Sequence, residues 1–224
     1  MLLDTPALRV SDVASELGVA RSTAHRMLTT LQARDLLRQD PATKAYGPGS
    51  NLAKLGLAVI GASDLRAEAR PVLEKLVSDT AETAHLLVLK GTETVFIEGV
   101  EGPQVIRAAL RTGHRGPAHA SAAGKALLAE FDQEELRRRF PTARLRGGTA
   151  RAVHSRRALE AELEKVRETG YATNIEESEP GLCAVAAAVR DRYGVAQCAL
   201  AVSGPAERVV PQIEAIGRAV VAAA

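Results

Sequence analysis

The sequence predicts an α+β protein with a small N-terminal helical head and a larger C-terminal body built on a mainly antiparallel sheet. Within residues 10–31, two successive segments carry apolar residues at helical spacing. Beyond residue 65, strand-like runs come first, helices are interposed and strands return, which is typical of an α+β domain. The chain has 224 residues, 46% of them hydrophobic, which is enough to bury a core in each part.

The first predicted helix covers residues 10–17. Val10, Val13, Ala14 and Leu17 follow the i, i+3, i+4, i+7 spacing of one apolar helix face. Gly18 is expected to end the helix because glycine readily adopts the left-handed conformation.

The second predicted helix turns Ala24, Met27, Leu28 and Leu31 inward. Its outward residues are small or cationic and can hydrogen-bond phosphates and base edges: Arg21, Ser22, Thr23, His25 and Arg26. This division suits a DNA recognition helix, which packs with its back face and enters the major groove with its front. An ordinary amphipathic helical hairpin would show the same periodicity.

The residues after this helix favour DNA binding. A short strand at 36–38, a turn containing Pro41 and a return through Tyr46 predict the hairpin of a winged helix-turn-helix. Between residues 20 and 46 there are five basic and two acidic residues, whereas the whole chain carries a net charge of only +2. We expect Arg38 and Lys44 to contact phosphates from this wing.

Three domains follow from the composition. Residues 1–48 form the predicted DNA-binding domain, residues 49–65 a linker helix after a Gly-Pro-Gly-Ser breaker, and residues 66–224 the C-terminal domain. That domain begins with a helix at 65–78. The remaining elements are predicted as strands at 84–89, 94–98 and 105–110, helices at 120–131, 132–139 and 155–169, strands at 171–176, 182–189 and 196–202, and a helix at 205–222.

Several classes of protein are disfavoured. No apolar run approaches the roughly 18 residues of a membrane span, and the N-terminus lacks the charged start of a secretory signal. Cys183 and Cys198 are not spaced like metal ligands, and unpaired cysteines suit the reducing cytoplasm. We therefore expect no metal, no cofactor and no membrane association.

Three separated motifs carry a resemblance to a known family. They are RSTAHR at 21–26, PAHASAAGKALLA at 117–129, and EESEPGLCAVAAAV at 176–189 with VSGP at 202–205. In order and content they resemble the IclR family of bacterial transcriptional regulators, over essentially the whole chain. The resemblance implies a GAF/PAS-like effector-binding domain, a homodimer or tetramer on a double-stranded, pseudo-palindromic DNA operator, and control of catabolic genes by a small metabolite. The linker helix would transmit the signal.

The head departs from the family pattern. Members place a full helix before the segment that opens at Val10, and only nine residues precede it here. We expect either a start codon assigned too far downstream or a shortened DNA-binding domain. A missing first helix would expose the back faces of Val13, Leu17 and Leu28, at a cost of about 1.5–3 kcal/mol for each large side chain.

The resemblance also indicates where an effector would bind. The implied residues are Ala122, Ala123, Asn174, Ala184, Ala201 and Ser203. The helix that opens near Ser121 offers free N–H groups to a carboxylate. With alanine at 184 and 201, Asn174 and Ser203 remain as the hydrogen-bonding pair, which favours a larger or more apolar effector such as an aromatic or aliphatic acid. Close-packed core alanines are the alternative.

Other polar residues are expected to be structural, and no catalytic residue is predicted. His119, Cys183, Lys125 and the Glu176–Glu177 pair lack the surroundings of a catalytic site. Residues 137–157 contain eight arginines and no acidic residue; this run is either a solvated surface or a second anionic contact. The rival to a regulator is a small-molecule-binding or enzymatic α+β protein with a degenerate DNA-binding head.

Overall fold

Two units, Met1–Asp64 and Leu65–Ala224, make up the computed structural model, which describes residues 2, 5, 7–52 and 65–224. Residues 50–52 are helical, and the rest of the predicted linker helix lies outside the described residues. The proposed linker role of 49–65 therefore stays a prediction. None of the described helices is long and apolar enough to cross a membrane.

As far as residue 49, the described part of the N-terminal unit contains two helices and a two-stranded hairpin. These are α1 (Val10–Leu17), α2 (Arg21–Gln32), β1 (Leu37–Gln39) and β2 (Tyr46–Pro48). Gly18 ends α1 at φ 63°, in the left-handed conformation expected from the sequence. The strands are antiparallel, with Arg38 opposite Gly47, which is the geometry of a wing.

The hairpin and the segment before α1 close the core of this unit. The backbone N–H and C=O of Leu8 bond to Tyr46, both at 2.8 Å, so the chain adds a short third pairing to the wing. The side chain of Tyr46 is fully buried. Val13 and Leu28 are buried as well, so the expectation that they would be exposed was wrong, because Leu8 and the wing cover them.

Three predicted inward residues are not buried in this unit. Leu17, Met27 and Leu31 are 54%, 44% and 41% exposed, and the prediction of an inward Met27 and Leu31 was wrong. Within the described residues, α1 and the wing cover only the narrow stripe of α2 through Ala24 and Leu28. The apolar face read from helical spacing is therefore wider than the face that the unit buries.

One six-stranded antiparallel sheet forms the centre of the C-terminal unit. The strands are β3 (Thr83–Lys90), β4 (Glu93–Val100), β5 (Arg115–Pro117), β6 (Ala172–Ile175), β7 (Leu182–Arg190) and β8 (Ala196–Pro205). Their spatial order is β5-β4-β3-β8-β7-β6, and every neighbouring pair is antiparallel. This confirms the α+β class.

Helices cover both faces of the sheet. They are α3 (Leu65–Thr80), α4 (Ala122–Leu128), α5 (Gln133–Arg139), α6 (Arg156–Thr169), α7 (Ala206–Val209) and α8 (Ile213–Ala223), with 3₁₀ turns at Ala118–Ala120 and Val210–Gln212. One face packs on α3 and α8 through Leu73, Leu76 and Ile216. The other face packs on α4, whose Ala122 and Leu127 belong to a second core cluster.

Two local predictions for this unit were wrong. Residues 105–110 form a loop rather than a strand, with Val105 94% exposed, and the edge beside β4 is taken by Arg115–Pro117 instead. The predicted final helix is divided by a 3₁₀ turn at Pro211, because proline has no N–H to continue the hydrogen-bond ladder.

Candidate ligand site and nucleic-acid interface

A cavity of about 180 Å³ lies between the sheet and the N-terminus of α4. Its lining includes residues of β3, β4, β7 and β8 and of the loops that follow β4 and β6. All six residues that the sequence indicated for an effector line it: Ala122, Ala123, Asn174, Ala184, Ala201 and Ser203. The structure thus brings these separated positions together, and their contact with a ligand remains a prediction.

Small residues hold the start of α4 close to the preceding turn. Ser121 caps the helix, because its Oγ accepts the Gly124 N–H at 3.0 Å. A Cβ at Gly124 would lie 2.1 Å from the carbonyl oxygen of Ala118, so only glycine fits at this position. The N–H groups of Ala122 and Ala123 have no hydrogen-bond partner within the described residues, and both residues line the cavity.

His85 places an uncharged imidazole in the cavity wall. Its Nε2 lies 3.0 Å from Ser203 Oγ, and burial, with a smaller effect from the charge of Arg111, lowers the pKa of His85 to about 4. The ring of Phe96 meets His85 edge-on at 5.1 Å, and His114 lies 6.1 Å from Phe96 on a tilted plane. This part of the wall is therefore aromatic, and His85 is uncharged at pH 7.

Asn174 supports the loop after β6. Its Oδ1 accepts the backbone N–H groups of Glu177 (2.7 Å) and Ser178 (3.3 Å), and its Nδ2 donates to Ser178 Oγ at 2.7 Å. Asn174 and Ser203 were expected to be the hydrogen-bonding pair for an effector. Both already have protein partners, so a ligand would have to share or replace these bonds.

Arg111 and Glu179 join two loops of the cavity lining. The guanidinium and the carboxylate form a two-point ion pair, with Nη2 and Oε2 2.8 Å apart. The hydrogen bonds from Arg111 lower the pKa of Glu179. This pair links the loop between β4 and β5 to the loop between β6 and β7, and places a guanidinium in the cavity.

A buried lysine, Lys125, holds the loop between β6 and β7 through ion pairs. The Nζ of Lys125 lies 2.7 and 2.9 Å from the two carboxylate oxygens of Glu177 and 2.7 Å from Glu162 Oε2. Burial raises the pKa of Glu177, and the charge of Lys125 opposes this shift. The three residues join α4, α6 and the loop as a structural ion-pair cluster, as expected for Lys125.

His119 and Cys183, two further residues that the sequence predicted to be structural, lie outside the cavity. His119 is buried edge-on against Phe140, and its Nε2 has no hydrogen-bond partner among the described residues. Cys183 faces the α3/α8 core, and burial raises the pKa of its thiol, which makes it a poor nucleophile. No group of three metal-ligating side chains occurs in the described part of the chain.

Sequence reasoning missed His85, Phe96 and Arg111. The alternation of β3 could have indicated His85, because Ala84 and Leu86 face the α3/α8 core and the intervening residue must face the other side. The pairing of Arg111 with Glu179 spans 68 positions and leaves no local signal.

The exposed face of α2 carries the predicted DNA contacts. Arg21, Ser22, His25 and Arg26 are exposed, and Thr23 is half-buried. Arg38 and Lys44 are exposed on the wing. The wing turn is held by Asp40, whose Oδ1 accepts the N–H groups of Ala42 (2.9 Å) and Thr43 (2.8 Å), while Lys44 adopts φ 57°. The seven predicted residues therefore lie in the N-terminal unit at positions that DNA can reach.

Comparison with known proteins assigns both units. The family model described as "Bacterial transcriptional regulator IclR C-terminal" matches residues 57–224, and the model for the IclR helix-turn-helix domain matches residues 3–41. The HTH-type transcriptional regulator BhcR of Paracoccus denitrificans is 37% identical over 218 residues, covering 97% of this chain and 78% of BhcR.

Solved structures agree with these matches. The crystal structure of the Thermotoga maritima IclR superposes with a TM-score of 0.68 at 29% identity, covering 100% of this chain and 91% of that one. An IclR homologue from Microbacterium hydrocarbonoxydans, complexed with 4-hydroxybenzoate, superposes with a TM-score of 0.65 at 26% identity, covering 99% and 91%. The matched relatives are regulators rather than enzymes. The chain belongs to the IclR family of transcriptional regulators, with a DNA-binding helix-turn-helix unit and an effector-binding C-terminal domain.

Proposed function

We propose that this regulator responds to a small organic acid with an aromatic or aliphatic body, which binds in the cavity of the C-terminal unit and changes operator affinity. The observation that carries the proposal is the cavity itself. Six positions indicated by the sequence meet there, beside a guanidinium and an aromatic wall. The cavity thus brings together groups from six strands, one helix and two loops.

The acid group has two donor sets available. The free N–H groups of Ala122 and Ala123 point from a helix start, where the backbone favours negative charge. Arg111 supplies a fixed positive charge, and an effector carboxylate can take the place of Glu179 on it. His85 is neutral at pH 7 and contributes a hydrogen bond rather than charge.

The body of the effector would lie against Phe96 and the small residues of β7 and β8. Ala184 and Ala201 leave space where longer side chains would fill the cavity. Aromatic groups pack well against the edge or face of a phenylalanine. The homologue complexed with 4-hydroxybenzoate supports an aromatic acid as one member of this class.

The head would bind its operator through Arg21, Ser22, Thr23, His25, Arg26, Arg38 and Lys44. We further propose a homodimer or tetramer, since two heads related by a two-fold axis match a pseudo-palindromic operator. Light scattering on the purified protein checks this assembly, and a monomer that keeps full operator affinity would contradict it.

A thermal-shift screen tests the effector class. The panel comprises benzoate, 4-hydroxybenzoate, phenylacetate, octanoate, glyoxylate and pyruvate at equal concentration and ionic strength. We expect at least one of the first four acids to raise Tm, because a ligand that binds only the folded state stabilises it. Stabilisation by glyoxylate or pyruvate alone would contradict the proposal.

A cavity-filling variant controls for binding elsewhere. Ala201 is 5% exposed and lines the cavity, so Ala201→Leu should abolish the ligand-induced shift. Operator binding by the ligand-free variant, measured by gel shift, should persist. Loss of both activities would indicate misfolding instead of a filled site.

A further inference from the structure

We call the cavity between the sheet and α4 the effector cavity. A second cavity, of about 350 Å³, lies outside it and is lined by arginines. Arg139, Arg144 and Arg146 belong to its lining, and we call it the arginine groove. The turn between β3 and β4, the segment that follows α5, and the residues Pro117 and His119 form its remaining walls. It therefore collects part of the arginine-rich run at 137–157 into one concave surface.

The arginines of the groove are available to a ligand to different degrees. Arg144 and Arg146 are exposed, and their side chains have no partner within the described residues. Arg139 is fixed: its Nη1 donates to Gly91 O at 2.9 Å, its Nε lies 2.7 Å from Glu135 Oε1, and its guanidinium lies 4.2 Å from the centre of the Phe131 ring. One rigid and two free guanidinium groups thus line the same space.

Most other arginines of the run are already paired. Arg138 pairs with Glu135, Arg151 with Glu176, and Arg156 lies 3.6 Å from Glu160. Arg137 and Arg157 have no side-chain partner within the described residues either, but they lie outside the groove, so Arg144 and Arg146 differ from them by lining a concave surface.

The groove has a positive net charge, and its walls combine polar side chains with Phe140, Pro141 and Leu145. Glu93, the one acidic residue among its described lining residues, lies 3.8 Å from Arg115, and Arg139 is paired with Glu135, so Arg144 and Arg146 supply the unpaired positive charge. Thr92 and Thr142 add hydroxyl groups. Arginine forks and hydroxyls are the side-chain donors that suit a phosphate group. We propose that the arginine groove binds the phosphate group of a small phosphorylated metabolite, as a second site distinct from the effector cavity.

The groove shares a wall with the effector cavity. Pro117 lines both, and a Cβ at Gly147 would lie 2.7 Å from Pro117 Cγ, so the loop that carries Arg144 and Arg146 packs directly on this proline. Pro117 ends β5, whose Arg115 and Gly116 also line the effector cavity. A phosphate bound in the groove would therefore change the position of Pro117 and of the β5 wall that the effector cavity shares.

Calorimetric titration tests the site with three probes: inorganic phosphate, glucose 6-phosphate and glucose, at constant ionic strength. We expect saturable binding of one glucose 6-phosphate per chain, weaker binding of phosphate and none of glucose. The double variant Arg144→Ala/Arg146→Ala should weaken binding by at least about tenfold, since hydrogen bonds between charged groups are lost. The matched control is Arg137→Ala/Arg157→Ala, which removes two exposed arginines outside the groove and should bind as wild type does.

Several results would overturn the proposal. No saturable binding of either phosphate probe would do so, as would equal weakening in the two double variants. Because both pairs are exposed, an unchanged Tm shows that each variant is folded. A reduced salt dependence of operator binding in the Arg144/Arg146 variant would assign the groove to DNA phosphates instead.

Discussion

At the scale of single residues, His85 shows how burial decides the chemistry of the effector cavity. An exposed histidine titrates near pH 6.5, whereas this one is buried against Phe96 and lies near the positive charge of Arg111, so that its pKa falls to about 4. The imidazole stays neutral and bonded to Ser203 at pH 7. In the proposed function, recognition of the acid consequently depends on Arg111 and backbone N–H groups.

The lowered pKa of His85 predicts a loss of stability in mild acid. Between pH 6.5 and 4, His85 binds a proton in the unfolded chain but stays neutral in the folded protein. The free energy of unfolding therefore decreases as pH falls, by about 3 kcal/mol at pH 4. Urea unfolding across this range should show a smaller decrease for His85→Gln, which retains a hydrogen-bonding side chain. Identical pH profiles for the variant and wild type would contradict the assignment.

At the scale of elements, the loop between β6 and β7 is the most heavily anchored part of the site. Asn174 accepts hydrogen bonds from its backbone. Lys125 binds its Glu177, and Arg111 binds its Glu179 at the cavity. The first two anchors are buried, whereas the Arg111–Glu179 pair is partly exposed, with side chains 35% and 44% exposed. The partly exposed anchor is therefore the one that a ligand can exchange.

The buried anchor predicts a large effect on stability. Lys125→Met leaves Glu177 buried without its cation and should lower the free energy of unfolding by about 3–5 kcal/mol in urea denaturation. Lys165→Met, an exposed site on α6, should change it by less than about 0.5 kcal/mol. Adding Glu177→Gln to Lys125→Met should recover part of the loss; strictly additive losses would show that the two residues do not interact.

Elements with a local signal could be predicted from the sequence, and contacts between distant elements could not. The apolar runs of β7 and β8 and the Ser121 cap of α4 can be predicted because each depends only on residues within or next to that element. Residues 105–110 have the composition of a strand, yet the edge of β4 is taken by Arg115–Pro117. Met27 and Leu31 have the spacing of core residues, yet they remain 44% and 41% exposed.

The candidate site follows the same division. Its six small or polar positions came from a family resemblance and do line one cavity. The groups that give the cavity its charge and its aromatic wall come from strands and loops distant in sequence. Arg111 and Glu179 meet only after the sheet has formed, so no short motif contains them both.

At the scale of the whole molecule, the chain combines a DNA-binding unit with an effector-binding unit, and regulation requires that the two be coupled. An effector shifts operator affinity only if it binds two states of the protein with different affinity. By thermodynamic linkage, operator DNA must then change effector affinity by the same factor. Arg26→Ala should weaken operator binding while leaving effector affinity unchanged, because Arg26 is an exposed residue of the DNA-binding unit.

The most direct test of this account is operator affinity with and without the acid that gives the largest thermal shift. Fluorescence anisotropy with DNA from upstream of the gene should show a change in Kd of about 5- to 150-fold, the usual range for allosteric coupling. Ala201→Leu should bind the DNA and lose the change. An acid that fills the cavity while operator Kd stays the same would contradict the central claim that this cavity controls the DNA-binding unit.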